Sequence, residues 1–205
     1  MALIVAQNDW IDAMMRNELM GLIAFDLSAA FDTLAHSTLL RKLEVCAGIT
    51  GVPLKWLNSY LSGRSQSVLW NNILSKPRTL DRGVPQGSIL GPILFLAMIY
   101  DMPSCLIRDT QTTSSRLVGY ADDTTVYVKS KDLEHLSEEL EIQGNKMVNY
   151  CHENGLILNS QKTQILTTAR NMIKIKIGQD TVSSAQTINL LGLEYDTNFS
   201  TAPYL

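Results

Sequence analysis

The chain has 205 residues and a formal net charge of −3, with 45% hydrophobic and 18% charged residues. This composition is typical of a folded globular domain and excludes a disordered or collagen-like chain. The three cysteines are odd in number and form no C-x-x-C pair, which argues against a disulfide framework and a zinc site. Proteins that bind nucleic acid are usually basic, so the acidic balance alone argues against that class.

No segment has the pattern of an export signal or a membrane span. The apolar run at residues 1–6 is too short for a signal peptide and lacks its basic flank. The longest uncharged run, residues 84–100, is 17 residues long and is interrupted by glycine and proline, whereas a membrane span needs about 20 apolar residues. We therefore expect an intracellular protein, in the nucleus or the cytoplasm, without a membrane partner.

The first part of the chain predicts a helix followed by a strand. Helical spacing of apolar residues indicates a helix over about 9–20, ended by Gly21. The inner face of this helix would carry Ile11, Met14, Met15 and Leu19. The short apolar run 22–25 then stops at Asp26, which predicts a buried strand with a carboxylate at its C-terminal end.

Two helices and a hairpin are predicted next. Apolar spacing indicates a helix over 37–47 with Ser37 as its N-cap, and Pro53 suits the first turn of a helix over 53–61. Between residues 65 and 80 the pattern changes to strands, with Asn71-Asn72 as the turn of a hairpin.

The middle of the chain predicts a loop, a helix and an acidic hairpin. Glycine and proline make residues 83–87 a loop that leads into an apolar helix over 88–100. Two β-rich runs, 117–120 and 125–128, flank a tip that holds Asp122 and Asp123.

The last third predicts a long amphipathic helix and several short strands. The helix covers about 132–154 and ends at Gly155, and the strands lie near 164–168, 173–177 and 188–195. Because helices and strands are mixed without a βαβ rhythm, the fold class is α+β with a largely antiparallel sheet.

Three carboxylates at two strand ends suggest a metal site. Asp26 ends one buried strand and Asp122-Asp123 lie at a hairpin tip, so neighbouring strands would bring their negative charges together. Oxygen ligands without a nearby histidine or cysteine favour Mg²⁺ or Mn²⁺ over zinc. The spacing also allows a second interpretation, in which Asp122-Asp123 are only turn residues.

Three segments in the same order are similar to a known family. Residues 24–32 (AFDLSAAFD), 82–92 (RGVPQGSILGP) and 120–123 (YADD) resemble motifs A, B and C of reverse transcriptases. Residues that flank these motifs resemble the non-LTR (LINE-like) retrotransposons more than the retroviruses. The resemblance extends over about residues 9–195.

The resemblance implies a reverse-transcriptase palm, which is an antiparallel sheet backed by helices. It implies one partial domain over residues 1–205, with the fingers incomplete and the thumb absent. Motifs A to E would lie in the palm, and about 1–20 and 50–80 would be residual elements next to the fingers. Asp26 and the Asp122-Asp123 tip are then expected to be adjacent in space.

For activity, the resemblance implies an RNA-directed DNA polymerase. The partners would be an RNA template, a DNA primer and deoxynucleoside triphosphates, and the cofactor two Mg²⁺ ions, with Mn²⁺ as a substitute. Asp26 and Asp122 would bind both ions, the Leu27 carbonyl oxygen would bind the nucleotide-side ion, and Asp123 would be a supporting acid.

Residues near motifs A and B would contact the nucleotide. Phe31 matches the aromatic position under the incoming sugar, where a ring would exclude a 2′-hydroxyl; the alternative for Phe31 is plain core packing. Gln86 and Gly87 match the loop that lies beside the nucleotide and the template strand. Gly87 would let the backbone approach closely.

Three further residues are assigned by resemblance. Lys162, in a segment similar to motif D, would protonate the leaving pyrophosphate, although a lone lysine is usually a solvated surface charge. Gly192 lies in a segment similar to the start of motif E, which grips the primer end. Arg64 would contact the template backbone, and a solvated arginine is the alternative.

Other functions stay open at this point. Another palm polymerase, such as an RNA-copying RNA polymerase, shares these acids, but Phe31 favours deoxynucleotides. A chain of this kind could also be a catalytically inactive truncated relic or a nucleic-acid-binding scaffold. Because only about 25 residues precede motif A, we expect residues 1–205 alone to be a poor polymerase. The sequence leaves the oligomeric state open.

Overall fold

The computed structural model describes residues 2–107 and 113–201, and these residues form both helices and strands. The helices are α1 (Ala2–Met15), α2 (His36–Val45), α3 (Gly51–Leu61), α4 (Leu90–Met98), α5 (Met102–Leu106) and α6 (Leu133–Asn154). The longer strands are β1 (Leu19–Phe25), β6 (Thr113–Tyr120) and β7 (Asp123–Ser130). The shorter strands are β2 (Ser65–Gln66), β3 (Leu69–Trp70), β4 (Ile73–Leu74), β5 (Arg78–Thr79), β8 (Gln164–Thr167), β9 (Lys174–Ile177), β10 (Asp180–Ser183), β11 (Thr187–Leu190) and β12 (Leu193–Asp196).

The main sheet has four antiparallel strands in the order β6-β7-β1-β8. In its centre Leu22 of β1 pairs with Tyr127 of β7 and with Leu166 of β8. These central strands are apolar and buried because both faces of the sheet are covered. The predicted α+β class with an antiparallel sheet is confirmed.

The chain divides into two compact units whose segments alternate along the sequence. The first unit contains residues 1–28, 102–153 and 157–205, and the second contains residues 29–101 and 154–156. No linker rich in glycine or proline separates the units at these crossing points, so the division follows from tertiary contacts. None of the helices that the structure describes is both long and apolar enough to cross a bilayer.

In the first unit, α1 covers one face of the sheet. Trp10 is 2% exposed, and its ring meets the rings of Tyr127 and Tyr195 edge-on, with centroids 6.2 and 5.4 Å apart. The predicted inner face of this helix is wrong, since Ile11, Met14 and Met15 are exposed. The buried stripe is instead made of residues with smaller or aromatic side chains, Ala6, Trp10 and Ala13.

The helix also ends earlier than its apolar pattern predicts. It ends at Met15, and Asn17 adopts a φ of +54°, a conformation that asparagine tolerates better than most residues. Leu19 therefore belongs to β1 rather than to the helix. Ala6, Trp10 and Ala13 also recur at helical spacing, so periodicity alone left two apolar faces to choose between.

The long helix α6 packs close to β1 in the same unit. A Cβ atom added to Gly21 would lie 2.6 Å from Leu140 Cδ1, so glycine in β1 permits this approach of the helix. The spacing of apolar residues predicts an inward face made of Leu133, Leu136, Leu140, Met147 and Cys151; the last four are buried, and Leu133 is half-buried. Asp132 caps the helix by accepting a 2.9 Å hydrogen bond from the His135 backbone N–H.

The last predicted strand, 188–195, is a hairpin rather than one strand. β11 and β12 pair through Leu190 and Leu193, and the two turn residues Leu191 and Gly192 have φ values of +50° and +81°. A two-residue turn with both φ values positive matches the natural twist of a hairpin. The first position of such a turn favours asparagine, aspartate or glycine, so Leu191 gave no sign of a turn in the sequence.

In the second unit, α2 packs against α3 and α4. The buried Lys42 of α2 donates to the Met98 carbonyl oxygen at 2.8 Å and pairs with Asp101 at 2.6 Å, so its charge is compensated. The predicted N-cap Ser37 is wrong: Ala35 occupies the N-cap position and makes no side-chain cap.

The predicted hairpin with an Asn71-Asn72 turn is confirmed. Its strands β3 and β4 pair antiparallel, and both asparagines have a positive φ. The large apolar side chains of this hairpin are exposed, namely Val68, Leu69, Trp70, Ile73 and Leu74.

Candidate functional site

The candidate acidic residues meet at one end of the main sheet. The last pair of the β1–β7 ladder joins Phe25 and Thr124, so Asp26 and Asp123 lie one position beyond it on neighbouring strands. Asp122 precedes Asp123 in the turn between β6 and β7. The structure therefore brings the three predicted carboxylates to a common edge, within the first unit.

The turn that carries Asp122 is a two-residue connection. Tyr120 pairs with Asp123, which leaves only Ala121 and Asp122 between the strands. Ala121 has a φ of +53°, although a residue with a Cβ atom in the left-handed region costs about 1–2 kcal/mol. The ladders on both sides of β7 hold the turn in this conformation.

The electrostatics of the edge are those of crowded carboxylates. The pKa of Asp123 is raised above its ordinary value, first by partial burial and then by the negative charges of Asp122 and Asp26. Asp26 itself accepts a hydrogen bond from Ser28 Oγ at 3.4 Å. A cation placed at this edge would relieve the repulsion, and oxygen donors of this kind suit Mg²⁺ or Mn²⁺.

The carboxylates do not converge on one point. Within the part of the chain that the structure describes, no three histidine, cysteine, aspartate or glutamate side chains are placed to hold one metal ion together. Three like charges on two strand ends favour separation of their side chains. The donor chemistry at the edge thus fits a hard divalent cation, while its geometry is not that of a closed metal cage.

The backbone orients the Leu27 carbonyl group toward the same edge. Leu27 lies opposite Leu158 in an isolated antiparallel bridge. The two hydrogen bonds lie on either side of this residue pair: Ser28 N donates to Ile157 O and Asn159 N donates to Asp26 O, both at 2.9 Å. In such a pair the N–H and C=O groups of Leu27 point away from Leu158, toward the side of β1 where β7 lies.

Lys162 lies in a tight turn at the same end of the sheet. The backbone N–H of Asn159 donates a hydrogen bond to Asp26 O. The side-chain Oδ1 of Asn159 accepts a hydrogen bond from the backbone N–H of Lys162 at 3.2 Å. Two residues later Gln164 pairs with Ala24 of β1. The Lys162 side chain is exposed, so the structure places its backbone near the acids and leaves its ammonium group in solvent.

The β11–β12 hairpin borders a small cavity beside the acids. This cavity has a volume of about 40 Å³, and its lining includes Trp10, Asp123, Tyr127 and Leu191. Gly192, assigned by resemblance to primer binding, is the turn residue next to Leu191. The first unit thus holds the three acids, Leu27, Lys162 and Gly192.

The remaining predicted residues lie in the second unit. Phe31 is half-buried, and its ring centroid is 5.1 Å from that of Phe95, so part of its surface is used in packing. The Gln86 amide donates to both carboxylate oxygens of Asp32, at 3.1 and 3.2 Å. Gly87 has a φ of +75°, which glycine adopts without strain.

Arg64 shares a polar groove with Gln86 and with residues to which the sequence analysis gave no role. This groove in the second unit has a volume of about 540 Å³ and is lined by Arg64, Arg82, His36, Asp32 and Gln86 among others. Arg82 is the first residue of the segment 82–92 that resembles motif B, but the sequence analysis assigned it no role. The sequence indicated no ligand role for His36, which backbone pairing of distant segments brings to the groove.

Comparison with known proteins identifies the family. A family model described as reverse transcriptase (RNA-dependent DNA polymerase) matches residues 11–195. A probable RNA-directed DNA polymerase from transposon BS of Drosophila melanogaster is 31% identical over 144 residues, which is 69% of this chain and 16% of that protein. The RNA-directed DNA polymerase from mobile element jockey of Drosophila funebris is 30% identical over 132 residues, 64% of this chain and 14% of that protein. The chain thus spans about a sixth of the length of these relatives.

Solved structures agree on the fold. A telomerase from Candida tropicalis, in complex with the TWJ fragment of telomeric RNA, has a TM-score of 0.66 at 14% identity, covering 98% of this chain and 33% of the telomerase chain. The corresponding telomerase from Candida albicans has a TM-score of 0.63 at 19% identity, covering 95% of this chain and 32% of that one. The palm-like fold expected from the sequence is confirmed. The chain belongs to the reverse transcriptase family, in the group found in non-LTR (LINE-like) retrotransposons.

Proposed function

We propose that this chain is the catalytic palm of an RNA-directed DNA polymerase from a retrotransposon, which adds deoxynucleotides to a primer annealed to an RNA template. The observation that carries the proposal is the shared edge of the main sheet, where β1 and β7 bring Asp26, Asp122 and Asp123 together. The family and the transposon-encoded relatives support the same activity.

The roles proposed for the residues at this edge are those that the resemblance to reverse transcriptases implies. Asp26 and Asp122 would hold two Mg²⁺ ions, with the Leu27 carbonyl oxygen as a further ligand and Asp123 as a supporting acid. Such ions, when bound, activate the attacking hydroxyl group and stabilise the leaving pyrophosphate. The three carboxylates supply the negative charge that retains the ions, and the short β6–β7 turn fixes where Asp122 stands.

Other residues would act on the substrates. Lys162 lies in the turn before β8, whose Gln164 pairs with Ala24 of β1, and its ammonium group would act on the pyrophosphate, where a proton donor and a positive charge both assist departure. Phe31 would limit the space at the 2′ position of the sugar, and Gln86 and Gly87 would lie beside the nucleotide. Gly192 would contact the primer end and Arg64 the template.

A primer-extension assay tests the polymerase activity. With an RNA template, a DNA primer, the four deoxynucleotides and Mg²⁺, we expect the 205-residue chain to extend the primer slowly, below the roughly 1 s⁻¹ of ordinary enzymes. Asp122→Asn should abolish extension, whereas Asp12→Asn, which changes an exposed ion pair with Arg16, should not. Template-dependent extension that survives Asp122→Asn, or its complete absence from the unsubstituted chain, would contradict the proposal.

The same assay tests the role of Phe31. Phe31→Ala should raise the incorporation of ribonucleotides relative to deoxynucleotides by about tenfold or more, because the ring no longer meets the 2′-hydroxyl. Phe31→Tyr keeps the ring and should keep the selectivity. An unchanged preference in an active Phe31→Ala variant would leave Phe31 as a packing residue against Phe95 only.

A further inference from the structure

The loop at residues 83–87 is attached along its backbone to the segment that carries Phe31. Val84 N donates a hydrogen bond to Phe31 O at 2.9 Å. Gly83 has a φ of +82°, and a Cβ atom added to it would lie 3.1 Å from the Asp32 carbonyl oxygen. Glycine at this position therefore permits both the turn and the close approach of the two backbones.

His36 adds a side-chain contact to this backbone pairing. The residue is half-buried at the start of α2, and its ring Nε2 lies 2.7 Å from the Gly83 carbonyl oxygen. Because a carbonyl oxygen can only accept, Nε2 carries the proton and donates it to this hydrogen bond. Both polar groups of the peptide unit between Gly83 and Val84 are thus engaged, the C=O by His36 and the N–H by the Phe31 carbonyl oxygen.

A second side chain holds a later part of the same loop. Both carboxylate oxygens of Asp32 accept hydrogen bonds from the Gln86 amide nitrogen, at 3.2 and 3.1 Å. The Asp32 and Gln86 side chains belong to exposed residues, so water competes for this contact. We therefore expect the half-buried contact of His36 to contribute more to holding the loop.

We propose that His36 is a positioning residue for the incoming nucleotide, and that it acts through the loop at 83–87. This inference rests on the proposed function, in which Phe31 and Gln86 lie beside the nucleotide. By holding the Gly83 carbonyl group, His36 fixes the loop relative to Phe31 before the substrate arrives. Binding of the nucleotide then orders less of the chain and costs less conformational entropy, which lowers the KM for the nucleotide.

Two amide substitutions at His36 form a matched pair. The side-chain nitrogen of glutamine lies as many bonds from Cβ as histidine Nε2 does, whereas that of asparagine lies one bond closer. His36→Gln should therefore keep a donor within reach of the Gly83 carbonyl oxygen. His36→Asn and His36→Phe should lose this hydrogen bond. His152→Phe replaces an exposed histidine of α6 and serves as the control.

Steady-state primer extension separates positioning from a loss of folded protein. We expect His36→Phe and His36→Asn to raise the KM for the deoxynucleotide roughly tenfold, as the loss of one hydrogen bond predicts, and to change kcat by less than about twofold. His36→Gln should restore the KM, and His152→Phe should change neither constant. A fall in kcat at unchanged KM would mean that fewer molecules are folded and would overturn the inference.

Amide hydrogen exchange, measured by NMR, tests the same contact without polymerase activity. The amides of Gly83 and Val84 should exchange roughly tenfold faster in His36→Phe, because the released carbonyl group lets the loop open more often. His36→Gln should restore the slower exchange, and amides of β7 should be unaffected. Unchanged exchange in the loop would overturn the inference. Absence of primer extension by the unsubstituted chain would contradict the proposed function instead, and hydrogen exchange alone would then decide whether His36 holds the loop.

Discussion

At the scale of single residues, the environment of Asp123 at the acidic edge disfavours its ionised carboxylate. Its pKa is raised by partial burial and by Asp122 and Asp26, so the fold favours the protonated carboxyl group. The stabilising contribution of that protonated form is fully present below the ordinary pKa of 3.8 and is lost as the pH rises through the raised pKa. At neutral pH the ionised Asp123 therefore lowers the free energy of unfolding.

We expect Asp123→Asn to be more stable than the unsubstituted chain at pH 7. The gain should shrink as the pH falls toward 3.8, where the carboxyl group becomes as neutral as the amide. Urea titrations at pH 7, 5.5 and 4.5 would measure it, with Asp12→Asn as the control on an exposed ion pair. A gain that is the same at every pH would show that repulsion at this edge is not its cause.

The residues of the candidate site differ in how far the sequence could predict them. Asp26, Asp122 and Asp123 stand next to strand and turn signals, so their meeting at one edge was predictable and is found. Arg82 and His36 reach their groove through the pairing of residues 34–36 with 81–83, and no local pattern encodes that pairing. The roles assigned to Phe31, Lys162 and Gly192 stay predictions.

At the scale of elements, the Asn71-Asn72 turn was predicted correctly, whereas the inner face of α1 was not. The Asn71-Asn72 turn carries a specific backbone preference, and both residues have the positive φ that this preference implies. The inner face of α1 was assigned from periodicity, and tertiary packing of Trp10 decided otherwise. Side-chain volume in the core overrides a weak amphipathic pattern.

The same comparison predicts unequal protection from hydrogen exchange. The β3–β4 hairpin is joined by two residue pairs and its apolar side chains are exposed, whereas β7 pairs on both sides and is largely buried. We expect amides of residues 65–80 to exchange much faster than those of residues 123–130 in mass-spectrometric hydrogen exchange. Slow exchange in the hairpin that disappears on dilution would mean instead that the hairpin is covered by a second copy of the chain.

At the scale of the whole molecule, the cysteines report on the integrity of the fold. Cys46 and Cys105 are exposed, while Cys151 is buried in α6 and burial raises its pKa to about 12. The thiolate is the reactive form, so the native chain should react with iodoacetamide at Cys46 and Cys105 only. All three cysteines should react in denaturant, and mass spectrometry of the peptides would identify the labelled ones. Rapid labelling of Cys151 in the native chain would contradict the packing of α6.

The division into two units is the part of the architecture that the sequence did not predict. The chain passes from one unit to the other between residues 28 and 29 and between residues 101 and 102, and no linker segment separates the units at either point. Domain boundaries are visible in a sequence when a linker separates them. Here each unit is completed by segments from different parts of the chain, and only long-range contacts reveal that.

The central position of β7 has a consequence for how the family diverges. Eight residue pairs join β7 to β6 and seven join it to β1, so a shift of register would have to break both ladders together and turn every side chain of the strand to the opposite face. A substitution within the strand therefore leaves its register, and with it the place of the acidic turn, unchanged as long as both ladders persist. Telomerases that share only 14–19% of their residues with this chain still superpose with TM-scores of 0.63–0.66. The same overall fold is thus compatible with many different side chains.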